Sequence, residues 1–177
     1  GAFDQIYHEH LTYWALRSVE KLLDMHGLEV FAVELFPIHG GSMEYLVAQK
    51  GKRPVEPSVD KLRRQEKERS LGEIETYRRF AERAWEIRDE LLPILERFRQ
   101  EGKKVFALGA PIKGSTLLNS FGIGTDLLEC AVEVNPLKIG KYIPGVRIPI
   151  KDEKTAGAPD AYLVLPWNFL PELLRKM

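Results

Sequence analysis

The sequence predicts an α/β protein with three parts: an N-terminal helix with a two-strand appendage, a long helical connector, and a parallel sheet at the C-terminal end. Three observations carry that expectation. Beyond Gly102, short apolar runs at 104–108, 128–133 and 161–165 alternate with helix-forming stretches, the order of right-handed strand–helix–strand units. From 59 to 100 the apolar residues Leu62, Leu71, Ile74, Tyr77, Phe80, Ala84, Ile87, Leu91, Leu95 and Phe98 recur three or four apart among dense mixed charge, which is the period of an amphipathic helix. Two β-rich runs, 28–35 and 42–49, flank the loop Phe36-Pro37-Ile38-His39-Gly40-Gly41 and make a strand, loop, strand unit.

Taken in chain order, residues 11–27 place apolar side chains at helical spacing with Gly27 as the C-cap, so a helix starts at Tyr13 or Ser18 and ends at His26. Residues 51–57 have the composition of a linker, and Ser58 is the expected N-cap of the next helix. That helix should break near Ser70-Leu71-Gly72, bend at Pro93 and end at Gly102. A strand at 104–108, a glycine-bearing turn at 109–114, a helix from Ser115, two more strands and the stretch Trp167-Asn168-Phe169 before a closing helix complete the reading. Domain boundaries are expected at 1–54, 55–102 and 103–177. The chain opens on Gly rather than Met, and its closing helix is short with no strand after it, so it reads as an excised piece trimmed at both ends.

Composition removes several classes of function. Over 177 residues Lys+Arg and Asp+Glu balance at 26 each, so the chain as a whole offers no electrostatic footprint for nucleic acid. No apolar run approaches bilayer length, which excludes a membrane span. One cysteine, Cys130, leaves no internal disulfide and no cysteine-rich zinc site, as suits a reducing cytoplasm. It lies within an apolar run, where a buried inert thiol is expected.

The turn Gly109-Ala110-Pro111-Ile112-Lys113-Gly114-Ser115-Thr116 stands where a phosphate-binding turn would, with a strand before it and a helix after it. Its spelling is neither that of a P-loop, since Lys113 precedes its glycine, nor Gly-x-Gly-x-x-Gly, so ATP hydrolysis and ordinary NAD binding are disfavoured. A phosphate turn and a turn that merely needs glycines remain evenly matched. After the second strand comes Glu133, where dinucleotide folds hold a ribose. Lys138, Lys141 and Tyr142 either face the same crevice or are solvated.

Near the start stands Tyr7-His8-Glu9-His10. His-Glu-His lacks the two further residues that put both imidazoles of His-Glu-x-x-His on one helical face, so a metal site fails on spacing. A histidine polarised by neighbouring Glu and Tyr is a workable general base near neutral pH, and a solvated loop is the plainer alternative that the residues alone favour. His39, before Gly40-Gly41, is either a loop residue or part of a site lining.

On these residues the chain resembles the sugar-nucleotide C-methyltransferases. The likeness rests on Ile6-Tyr7-His8-Glu9-His10-Leu11 and His39-Gly40-Gly41-Ser42, on Gly109-Ala110 with Lys113-Gly114-Ser115-Thr116-Leu117-Leu118-Asn119, and on Gly122-Ile123-Gly124-Thr125-Asp126. It continues through Asn135-Pro136-x-Lys138, Pro144-Gly145 and Trp167-Asn168-Phe169. The resemblance implies a three-part enzyme: an N-terminal zinc module, a central domain that binds S-adenosylmethionine, and a C-terminal Rossmann-like domain that helps hold a nucleotide-linked deoxysugar. This chain would carry the end of the second part and most of the third, without the main adenosylmethionine and zinc ligands and with no metal of its own.

The implied chemistry is methylation at C3 of a 4-keto deoxysugar nucleotide. His10 resembles the base that removes the C3 proton, with Glu9 and Tyr7 supporting it. The enolate carbon then attacks the methyl group in line. Lys113, Gly114 and Ser115 resemble part of the nucleotide-sugar crevice, and Glu133, Lys138 and His39 join them as expected substrate-binding residues by their place in the fold. The family often has Asp before Asn-Pro where this chain reads Glu133-Val134-Asn135-Pro136, which leaves the nucleotide and the sugar open. A nucleotide-sugar-binding or dimerisation module, with the helices 58–101 as a homodimer seam, is the rival reading. An NAD-type oxidoreductase domain is the weaker one.

Overall fold

The computed structural model describes residues 2–38 and 40–175. They form two compact units, one of Thr12–Ala81 and one of Gly1–Leu11 with Glu82–Met177.

In the first unit helix α1 (Leu16–Asp24) and helix α2 (Pro57–Glu68) pack with the antiparallel strands β1 (Leu28–Phe36) and β2 (Ser42–Gln49). Leu16, Val30, Val59 and Leu62 make its core. Ala15 cannot cap α1, so a distant residue does: the Glu66 carboxylate accepts from the backbone N–H groups of Leu16 at 2.6 Å and Arg17 at 3.2 Å. The β1–β2 register slips between Val30 and Ala32, the mark of a bulge at Phe31. Here the expectation for Ser58 is corrected. Pro57 takes the first helical position, where its fixed φ suits a helix start, and Glu56 is the N-cap. The Ser58 hydroxyl accepts instead from the Val33 N–H just past the bulge, at 3.1 Å. Leu35, Phe36, Met43 and Val47 stay exposed on this sheet.

Helix α3 (Ile74–Gln100) follows a break at Ser70, which carries φ 52, so the connector is two helices in series. It runs through Pro93 as one element.

The second unit is built on four parallel strands, β3 (Val105–Leu108), β4 (Cys130–Glu133), β5 (Ile150–Asp152) and β6 (Ala161–Val164), in the order β5-β4-β3-β6. The chain starts at β3, moves outward through β4 and β5, and returns to the other side of β3 as β6. That is the Rossmann-like arrangement, with its switch of direction between β3 and β6. Helix α4 (Ile112–Phe121) crosses from β3 to β4, and helix α5 (Leu170–Leu174) follows β6. Strand β5 escapes a sequence reading because three residues are too short to display a period.

Alternation along β3 sends its residues to two cores, as expected where both faces of a parallel sheet are covered. Val105 and Ala107 join Leu95 of α3, Leu118 and Phe121 of α4, and Leu165. Phe106 and Leu108 pack with Cys130, Val132 and Leu173. Burial pushes the Cys130 thiol up from its ordinary value, as suits an inert core cysteine.

Candidate active site

Rossmann-like sheets bind ligands at the switch of strand order, beyond the carboxyl ends of the strands. Here that place, between the loops after β3 and β6, is partly filled by the protein. Gly109 has φ 76, and a Cβ on it would meet Pro166 Cδ at 3.3 Å. Lys113 reaches across to donate to Asn168 Oδ1, and its ammonium lies 4.9 Å from the centre of the Trp167 ring. Gly114, expected in the substrate set, faces the sheet: a Cβ there would come within 2.8 Å of Leu165 Cδ1. That glycine lets α4 approach the strand end.

Beside β3, the N–H of Ala110 is also spoken for. Glu133 accepts from it at 3.2 Å and from Val134 and Asn135 at 2.9 and 3.2 Å. Lys138 stands 3.5 Å from the same carboxylate and donates to the Ala110 carbonyl at 2.8 Å. Burial pushes the Glu133 carboxyl up, but these N–H donors and the ammonium outweigh it and hold it below the usual carboxylate value. The cleft left around Gly109, Glu133 and Pro166 holds about 250 Å³.

A larger cavity, about 610 Å³ and well within the range of ligand sites, opens on the other side of α4. Helical periodicity explains it. Gly114, Leu118 and Phe121 are buried, which turns Ile112, Ser115, Thr116, Asn119 and Ser120 to the opposite face, and these line the cavity. The far wall is the loop after β4, with Leu137, Lys138, Lys141, Tyr142, Ile143 and Pro144. Asn119 clasps that loop, donating from Nδ2 to the Pro144 carbonyl at 2.9 Å. Gly145 permits this. It has φ 80, and a Cβ there would fall 1.8 Å from Asn119 Oδ1.

The third wall is Tyr7 and His8. The segment carrying them packs on this unit: Phe3 stacks on Phe121 with ring centres 5.0 Å apart, and Asp4, only 3% exposed, accepts from Trp167 Nε1 at 2.7 Å. His10 Nδ1 lies 2.8 Å from the Gln5 carbonyl. A carbonyl can only accept, so Nδ1 carries the proton and Nε2 is the basic atom of the neutral ring. The Tyr7 ring covers that imidazole, with centres 4.1 Å apart. Glu9 stands 3.9 Å from His8 Nε2.

The expected site residues therefore separate. Ser115 and Lys138 line the large cavity, Tyr7 borders both it and His10, and Lys113, Gly114 and Glu133 serve the partly filled crevice. His39 lies outside the described residues. His8, Thr116 and Trp167 stand in the motif strings without a role, and Ser120 and the pairing of Asp4 with Trp167 carried no signal, since only the packing of residues 3–11 against α4 and the β6 loop brings them to the site.

In the first unit, a groove of about 370 Å³ runs past Arg17, Glu20, Arg63 and Glu66, and three of these side chains are already engaged. Arg63 pairs with Glu20 at 2.6 Å, and Glu66 caps α1. An adenosyl group seated in the Rossmann manner would use the glycine turn that Pro166 and Glu133 border. Among the described residues no three His, Cys, Asp or Glu side chains group to hold a metal, and no helix is long and apolar enough to cross a membrane.

Fold and site together define a Rossmann-like α/β unit whose cavity lies between α4, the loop after β4 and a histidine-bearing segment. Comparison with known proteins names the family. Residues 37–177 match the family described as C-methyltransferase C-terminal domain. C-methyltransferase NovU of Streptomyces niveus is 38% identical over 175 residues, which cover 97% of this chain and 42% of NovU. The chain belongs to the C-methyltransferase family and spans about two fifths of the length of that relative.

Proposed function

We propose that this chain is the substrate-holding part of an S-adenosylmethionine-dependent C-methyltransferase acting at C3 of a 4-keto deoxysugar nucleotide. One observation carries the reading: Tyr7 and His8 form a wall of the 610 Å³ cavity, opposite the hydroxyl-bearing face of α4, and the Tyr7 ring stands between that cavity and His10, 4.1 Å from its imidazole. The methyl donor would be held by residues beyond those of this chain, as would the zinc implied by the resemblance.

The reaction divides naturally among the residues present. A hydrogen on carbon next to a ketone is acidic because its removal gives an enolate, and a neutral imidazole is a base of suitable strength near pH 7. His10 takes that proton at Nε2, while its Nδ1–H stays on the Gln5 carbonyl and keeps the ring in the required tautomer. The Tyr7 ring limits its rotation. Ser115, Thr116, Asn119 and Tyr142 offer hydrogen bonds to a sugar or base, and the Lys141 ammonium offers charge to a diphosphate, while Lys138 lines the cavity with its ammonium on the Ala110 carbonyl and Glu133. The exposed Leu35, Phe36, Met43 and Val47 of the β1–β2 sheet are the surface that would complete the donor-binding sheet.

A titration of the 177-residue chain tests this. Thymidine diphosphate and its sugar conjugates should shift the amide signals of 115–120 and 137–143 and leave Gly109 little changed. Shifts with NAD alone would overturn the reading. The isolated chain should transfer no labelled methyl group, and transfer would show that the donor is bound within it.

A further inference from the structure

We infer that Asp4 and Trp167 are positioning residues for the reaction: their hydrogen bond fixes the segment that bears His10 and so sets where the base stands. The inference rests on the reading of His10 given above. Asp4 is 3% exposed, and a carboxylate so deep is costly to bury unless it is matched by donors. It accepts from the Trp167 indole N–H at 2.7 Å. Trp167 is itself held from the crevice side, since Lys113 lies over its ring and donates to the adjacent Asn168.

The link from this anchor to the base is one residue long. Gln5 follows Asp4, and its carbonyl is the acceptor that orients His10 through Nδ1. The same carbonyl accepts from the Tyr7 N–H at 3.1 Å, and the Tyr7 carbonyl accepts from the His10 N–H at 2.9 Å. Residues 5–10 are thus tied to one another by local bonds, while Phe3 and Asp4 at their head tie them to the sheet unit. Freeing Asp4 lets the Gln5 carbonyl shift and the imidazole with it. The partly filled crevice accordingly has a use: it is the footing of the base rather than a cofactor site.

The test uses the full-length protein with Asp4→Ala, Asp4→Asn, Trp167→Phe and His10→Ala. Two readouts are followed, methyl-transfer kinetics and the ring signals of His10 in a histidine-labelled sample. Asp4→Ala and Trp167→Phe should each lower kcat about 10- to 100-fold, the cost of a misplaced base. KM should change by less than about threefold in both. The double variant should lose little more than either single one, because the two groups act as a unit. Asp4→Asn keeps an oxygen acceptor for the indole and should restore most of kcat along with the native His10 ring signals.

Wild-type kcat in Asp4→Ala, or His10 ring signals that do not move when Asp4 is truncated, would overturn the inference. Should Asp4→Ala not fold, Trp167→Phe against Asp4→Asn decides it by the same criteria. An active His10→Ala would sink the assignment of the base and with it the kinetic half of this inference, and the two failures are distinguished because the ring signals judge the Asp4–His10 linkage without reference to turnover.

Discussion

Two openings flank α4, and they have opposite fates. On the β6 side, Pro166, Trp167, Asn168 and Lys113 narrow the place where this strand order ordinarily receives a nucleotide to a cleft of about 250 Å³. On the other side, the small polar residues Ser115, Thr116, Asn119 and Ser120 leave about 610 Å³ free. Backbone topology is common to both. The difference lies in side-chain size and in where the first eleven residues pack: Asp4 and Phe3 seal one side, and Tyr7 and His8 wall the other. A fold locates candidate crevices, and packing chooses among them.

The contrast is sharpened first by the change with the largest expected effect. His10→Ala in the full-length protein should lower methyl transfer about 10²- to 10⁴-fold, the usual worth of a general base. Because the ring is exposed, the thermal midpoint should stay put. Equal loss of stability and activity would mean that His10 is structural.

Gly145→Ala tests the wall of the open side. The new Cβ meets Asn119 and holds a left-handed φ, which should cost about 1–3 kcal/mol in urea denaturation. It should also abolish the amide shifts of 115–120 on adding nucleotide sugar. A variant as stable as the parent would show that the Asn119 clasp adapts.

The closed side should answer to pH instead. Glu133 has a folded pKa below its unfolded one, so its contribution to stability is complete above its ordinary value of 4.5 and is lost as pH falls through the lower, folded value. Chemical denaturation across that range should show a steeper acid loss for the parent than for Glu133→Gln. Parallel curves would mean that the N–H donors around Glu133 do not set its charge.

The smallest effect is expected at the rim. Lys141→Ala should raise KM for the nucleotide sugar about 3- to 10-fold with kcat little changed, and the difference should shrink near 1 M salt, where charge is screened within about 3 Å. A fall in kcat alone would move Lys141 from binding to catalysis.

Much of this was legible in residue patterns. The helical period of 59–100, the paired runs 28–35 and 42–49, and the alternation after Gly102 correspond to α2 with α3, β1 with β2, and the β3–α4–β4 unit. Near-range chemistry failed where a distant partner intervened. Ser58 looks like a helix cap, yet Pro57 already supplies the start and the bulge at Phe31 leaves the Val33 N–H for its hydroxyl. The glycine turn at 109–114 looks like a phosphate cradle, but Pro166 lies more than 50 positions away in the chain and no local pattern announces that it borders the turn.

By itself the sequence determined the α/β class, the order of the elements and the family, because periodicity and motif strings are local and survive without coordinates. Only the tertiary structure decided which side of α4 is open, that the His10 segment packs on the parallel-sheet unit, and that Asp4 meets Trp167 across 163 positions. Those outcomes depend on volumes and hydrogen-bond partners that meet only after the chain has closed on itself, and a linear pattern carries no record of them.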